Sequence, residues 1–96
     1  MKFYVLESQF QKPFETFGEI VPQHRAWLQQ WYDKGVLLCS GPKSDKSGGI
    51  IIGRAEDVST LQALVAGDPY HCNGLAHYRI SEFDAAKQAA VLEAWH

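Results

Sequence analysis

Hydrophobic and polar positions along this chain recur at two periods, and the switches between them mark out the elements. "KFYVLES" (residues 2–8) is a β-branched and aromatic run with little polar content, which predicts a central strand. "QFQKPFE" breaks it. Thr16 followed by Glu19 has the spacing of a capping box, so a helix is expected to open there. Pro22 either kinks that helix or takes the first position of a fresh one, where its missing N–H costs nothing. Beyond Pro22 the period is helical. Ile20, His24, Trp27, Leu28 and Trp31 share one face, Arg25, Gln29 and Gln30 lie on the wet side, and Gly35 supplies the stop.

"VLLCSG" (36–41) and "GGIIIGRA" (48–55) are two strand-like runs joined by "PKSDKSG", a loop of turn residues, and together they predict a hairpin. Asp57 is placed to cap a second helix carrying Val58, Leu61, Leu64 and Val65 on one face, with Gly67 at its end. "LAHYRISEF" (75–83) alternates as a last strand, with Ala76, Tyr78 and Ile80 on one face and Leu75, His77, Arg79 and Ser81 on the other. "DAAKQAAVLEAW" (84–95) reads as a terminal helix. The order β-α-β-β-α-β followed by a C-terminal helix is that of an α+β, ferredoxin-like protomer. Such a sheet carries helices on one face only. With strands as apolar as "GIIIG", the bare face calls for cover by a second copy, which predicts a homodimer of the dimeric α+β barrel type.

Composition narrows the function classes. At 96 residues and 46% hydrophobic, the chain is expected to form one domain over residues 1–96. The net charge of -2 comes from 9 Lys+Arg against 11 Asp+Glu with no basic run, so a nucleic-acid partner is not expected. "MKFYVLESQF" lacks the apolar core of a signal peptide, and no stretch approaches the roughly 20 apolar residues of a membrane span. The expectation is a soluble cytoplasmic protein whose Cys39 and Cys72 stay free thiols.

The chemistry gathers around "AGDPYHCNGL" (66–75), an acid, a histidine and a cysteine between two glycines. His71 and Cys72 are adjacent and His77 lies beyond them. Neighbours in an extended segment point apart, and no paired ligand spacing occurs anywhere, so no metal is expected. The terminal His96 is assigned no role. Asp68-Pro69 is a standard opening for a helical turn, yet a capping carboxylate keeps an oxygen free to accept from an imidazole. His24, on the apolar face of its helix, is the available imidazole. It is either a satisfied core residue or a general acid/base, and in a helix starting at Pro22 it would feel the positive end of the helix dipole. Ser40-Gly41-Pro42 at a strand end is either a plain exit or a ligand edge, and Trp27 and Trp31 are either core or pocket. No nucleophile elbow, phosphate loop or dinucleotide fingerprint is present, and no cofactor is expected.

Three stretches, "HRAWLQQWYDKGVLLCSGP" (24–42), "SGGIIIG" (47–53) and "GDPYHCNGLAHYRISEF" (67–83), in this order and at this separation, resemble the YCII family of small dimeric α+β-barrel proteins. The resemblance implies a ferredoxin-like protomer, a homodimer, and an active site built on a histidine and an aspartate, here His24 and Asp68. It places Ser40, Gly41 and Pro42 along the same cleft, and Trp27, Tyr70 and Arg79 are added as cleft residues. Arg79, or Lys43 from the loop, is a candidate to hold an anionic group. One family member type is a dehydrochlorinase acting on a chlorinated hydroxyquinol, and muconolactone isomerase is a fold cousin. The implied activity is cofactor-free proton transfer, with isomerisation or elimination, on a small cyclic or enol-like substrate. The alternatives are a non-catalytic small-molecule-binding or partner-interaction module, and a cofactor-free oxygenase using Trp27 and His77.

Overall fold

The computed structural model describes residues 1–95, and His96 lies outside them. Four strands, β1 (Lys2–Phe10), β2 (Leu37–Pro42), β3 (Gly49–Ala55) and β4 (Ala76–Phe83), form one antiparallel sheet in the order β2-β3-β1-β4. Helix α1 (Ile20–Asp33) joins β1 to β2, and α2 (Val58–Ala66) and the single-turn α3 (Pro69–Cys72) join β3 to β4. The expected β-α-β-β-α-β order and ferredoxin-like architecture are borne out.

Burial alternates along the strands and assigns the faces. Tyr4, Leu6 and Ser8 of β1 are buried, as is Ile51 of β3, which pairs with Leu6. Directly paired residues share a face, so Ile80 and Tyr78 of β4, opposite Leu6 and Ser8, lie on this helix-covered side. Trp27 of α1 and Leu61 and Leu64 of α2 complete the core there. Phe3, Val5, Glu7, Ile50, Ile52, Arg79 and Phe83 fall on the other side, which no α-helix among the described residues covers.

The start of α1 departs from expectation. Thr16 caps no helix; its hydroxyl donates to the Pro13 carbonyl at the end of a 3-10 turn, Phe14–Thr16. Gly18 then takes φ +55°, a backbone state open to glycine, and redirects the chain. The helix begins at Ile20, two residues before Pro22. Pro22 is therefore its third residue, still within the first turn, where backbone N–H groups have no helical partner. His24 accordingly sits one turn in, where the dipole of the terminus has largely fallen away.

The second helix starts as the sequence implies, with the Asp57 carboxylate accepting from the Ser59 N–H. The C-terminal segment is helical only over Ala90–Ala94, as a 3-10 turn, and residues 84–89 are irregular. Tertiary contacts explain this. Lys2 Nζ lies 2.6 Å from Asp84, and Trp95 packs edge-on to Phe3 and beneath the Arg54 guanidinium. Those contacts hold the chain along the sheet instead of leaving it free to wind on local propensity.

Candidate functional site

Asp68 is fully buried, an unusual position for a carboxylate. Its backbone is extended, and its side chain accepts the Tyr70 N–H at 3.0 Å, so it is the N-cap of α3 with Pro69 at the first helical position. The same Oδ1 lies 2.6 Å from His24 Nδ1. Oδ2 accepts the Tyr78 hydroxyl. Three donors from α1, α3 and β4 thus converge on one carboxylate, which is how a group of this kind is tolerated out of water.

These partners fix the imidazole. A carboxylate only accepts, so a proton between the two groups sits on His24 Nδ1, and in the neutral ring Nε2 carries the lone pair. The ring is clamped on its flat faces. Tyr70 stacks parallel to it at 3.8 Å between centroids, and Trp27 lies 5.1 Å away on a tilted plane. Trp27 is held in turn by its indole N–H, which donates to the Leu64 carbonyl. Nε2 makes no hydrogen bond among the described residues, yet no buried side-chain nitrogen or oxygen lacks a partner. It is therefore not fully buried, and the His24 side chain lines an open cleft.

That cleft, of about 220 Å³, lies between α1 and the tip of the β2–β3 hairpin. Its floor depends on close backbone approach. A Cβ on Gly48 would stand 1.8 Å from the Ser8 carbonyl oxygen, so only glycine lets the hairpin settle against β1. The Gly49 N–H donates to Ser8 Oγ at 2.8 Å and ties the same junction. Phe10 and Phe14 form an aromatic wall, stacked at 5.7 Å and braced by Phe17 and Tyr70. Burial pushes the Tyr78 hydroxyl far above the ordinary tyrosine range, reinforced by the Asp68 charge and by its hydrogen bond to Asp68. Tyr78 therefore remains a neutral donor.

Ser40, Gly41, Pro42, Tyr70 and His24 all line this cleft, with Asp68 directly beneath His24. The Ser40 hydroxyl is hydrogen-bonded to the Tyr32 hydroxyl at 2.7 Å. Trp27 does not line the cleft; it is core, 7% exposed, and acts on the site only through the His24 ring. Arg79 does not line it either. It pairs in register with Glu7 on the opposite face of the sheet, and Lys43 is drawn to that face by an ion pair with Glu7 at 2.8 Å. His71 and Cys72 are exposed on α3, and His77 is exposed on the bare side of β4, away from Trp27. Both cysteines are free thiols. Among the described residues, no three His, Cys, Asp or Glu side chains stand together as a metal cage would require.

Arg25 and Tyr78 are among the cleft residues that escaped the sequence reading. Arg25 looks like a wet-face residue on a helical wheel, yet it lines the cleft. Tyr78 was placed on the correct face of β4, and the signal for its role was available: a tyrosine turned inward needs a partner for its hydroxyl.

The helix-covered face holds a clamped His–Asp pair at a small cleft in a ferredoxin-like sheet. The family model for the YCII-related domain matches residues 1–84, and the chain belongs to that family. Among solved structures, it is similar to 5-chloro-2-hydroxyhydroquinone dehydrochlorinase of Burkholderia phenoliruptrix AC1100, solved in complex with 2,5-dihydroxybenzoquinone. The TM-score is 0.69 at 20% identity, over 88% of this chain and 94% of that one. An antibiotic biosynthesis monooxygenase shares the fold at TM-score 0.60 and 16% identity, over 88% of this chain and 99% of that one. No curated protein matches the sequence.

Proposed function

We propose that the protein is a cofactor-free enzyme of proton transfer, with His24 as general acid/base and Asp68 as its orienting partner. The observation that carries this reading is the geometry of one imidazole: Nδ1 is bound to a buried carboxylate and Nε2 is free at a cleft. An Nε2 so placed takes a proton from a substrate C–H or O–H, and Asp68 stabilises the imidazolium that results. Returned to a second carbon, the proton completes an isomerisation. Expelling a leaving group from the carbanion or enolate completes an elimination. A dehydrochlorinase among the fold neighbours supports the second outcome. The substrate is a small cyclic or enol-like compound, since about 220 Å³ is below the roughly 300–1,000 Å³ typical of sites for drug-sized ligands.

The proposal includes a homodimer. Phe3, Val5, Ile50 and Ile52 are only partly buried on the bare face, and Phe83 is 44% exposed, an apolar surface suited to the same surface of a second copy. A cytoplasmic location fits the two free, exposed thiols. No helix among the described residues is long and apolar enough to cross a membrane.

The test is exchange and release. Lactones, small enols and chlorinated hydroquinols are incubated with the protein in D2O, and deuterium uptake and chloride release are followed. Wild type should turn over at least one class, and His24→Asn should lower that rate by about 10²- to 10⁴-fold. If wild type turns over none while His24→Asn still binds the same compounds, the pair is structural and the protein is a binding module.

A further inference from the structure

We infer that Arg25 anchors an anionic substituent of the substrate, so that the cleft takes a small planar ring bearing a carboxylate or comparable anion. The inference rests on the reading of the cleft as a substrate site and adds the substrate's charge.

Arg25 is the single cationic side chain, His24 aside, among the residues lining the cleft, and no acidic side chain lines it. Four other cations are engaged elsewhere, and Lys12, Lys46, Arg79 and Lys87 do not line the cleft. Lys43 pairs with Glu7, Lys2 with Asp84, Lys34 lies over Trp31 and Arg54 over Trp95. Arg25 has no hydrogen bond or ion pair among the described residues. Burial and the Asp68 charge raise the Tyr70 hydroxyl, and the Arg25 charge opposes that rise. Arg25 thus lines the same cleft as His24 and Tyr70, with its donors unspent. Guanidinium donors form a planar fork matched to two carboxylate oxygens.

The rest of the cleft sets the shape. Phe10 and Phe14 line the cleft with aromatic surface, and Gly41, Gly48 and Gly49 line it with no side chain. A substituted single ring meets these walls with its faces and Arg25 with its anion. That orientation fixes which edge of the ring faces His24 Nε2.

The test reads binding, so its failure is distinct from a failure of catalysis. 2,5-Dihydroxybenzoate and hydroquinone present the same ring with and without the carboxylate, and their affinities are measured by calorimetry on the full chain. Wild type should prefer the carboxylate by about tenfold or more, the scale of one charged hydrogen-bonded contact. Raising the salt concentration should shrink the preference, because Arg25 is exposed. Arg25→Gln should abolish the preference, Arg25→Lys should retain part of it, and Arg79→Gln should leave it intact. His24→Asn should also keep the preference while losing turnover, which separates the two readings. Equal affinity for both probes, no binding of either at millimolar concentration, or a preference that survives Arg25→Gln would overturn the inference.

Discussion

Asp68 and Glu7 are both carboxylates held by a basic side chain, one on each side of the same sheet. Asp68 is sealed under α1 and accepts from His24, Tyr70 and Tyr78. Glu7 is 44% exposed on the bare side and makes one ion pair, to Lys43. The contrast shows that a short contact between charged groups says little until its surroundings are known. Water competes for Glu7 at every moment, so its pair is weakened by screening and by side-chain entropy. At Asp68 water is absent, and each donor that points there has nowhere else to go. The sealed carboxylate can therefore orient an imidazole, while the exposed one contributes charge to a surface.

The largest effect should follow from emptying the sealed site. Asp68→Ala strands three donors, and losing one partner of a buried charged cluster costs about 3–5 kcal/mol. Asp68→Asn should cost clearly less, because its amide oxygen still accepts from the Tyr70 N–H and caps α3. Urea denaturation followed by circular dichroism measures both. A loss under about 1 kcal/mol for Asp68→Ala, the range of exposed ion pairs, would erase the contrast.

Tyr78→Phe comes next. It removes one hydrogen bond to a buried carboxylate and leaves the packing of the ring, for an expected loss of about 1.5–3 kcal/mol in the same assay. It should also loosen Asp68 and with it the His24 ring, lowering turnover while sparing the binding of a ring compound. Equal stability of Tyr78→Phe and wild type would mean the hydroxyl is satisfied as well by water.

A pH scan sharpens the comparison from the alkaline side. Tyr78 is raised well above the usual tyrosine value of 10.0, and Tyr4, buried and hydrogen-bonded to Glu82, is pushed up to about 12. Above pH 10 the unfolded chain releases these protons and the folded chain keeps them. Stability contributed by both is complete below that value and is lost as pH rises through the folded-state range. The melting temperature should fall between about pH 10 and pH 12, and less steeply in Tyr78→Phe. A flat profile would show that neither hydroxyl is sealed.

How much of this was legible in the sequence follows from the range of the interactions. Asp57 and Asp68 announce their caps because a cap is local chemistry, and the alternation of "LAHYRISEF" sorted Tyr78 from Arg79 because a strand has a fixed period. The start of α1 was misjudged because Pro22 is tolerated throughout the first turn, so it marks a start only to within a few residues. That Arg25 lines the cleft while Arg79 and Lys43 do not has a nonlocal reason. Whether a helix-side arginine meets water or a cleft depends on where the β2–β3 hairpin ends relative to α1, and that is set by Gly48 packing on Ser8. The terminal segment followed the same rule, since Trp95 answers to Phe3 and Arg54 and not to its own alanines.

The smallest expected effect lies at the exposed end of the comparison. Lys43, with a minor contribution from Arg79, holds the Glu7 carboxyl below the usual value of 4.5. A carboxyl lowered on folding stabilises the fold above that value, and its contribution fades as pH falls through the folded-state range. Because the Glu7 side chain is 44% exposed to solvent and salt, Glu7→Gln should leave the urea midpoint of the dilute protomer unchanged within error, at low and at high ionic strength. The pair also lies on the face proposed to meet a second copy. Glu7→Gln should therefore act on association, and sedimentation equilibrium should show a changed dimer affinity with an altered salt dependence. If the midpoint of the dilute protomer drops as far as it does in Tyr78→Phe, Glu7 is as deeply involved in the fold as Asp68. The distinction between a sealed carboxylate and a surface one would then not hold for this protein.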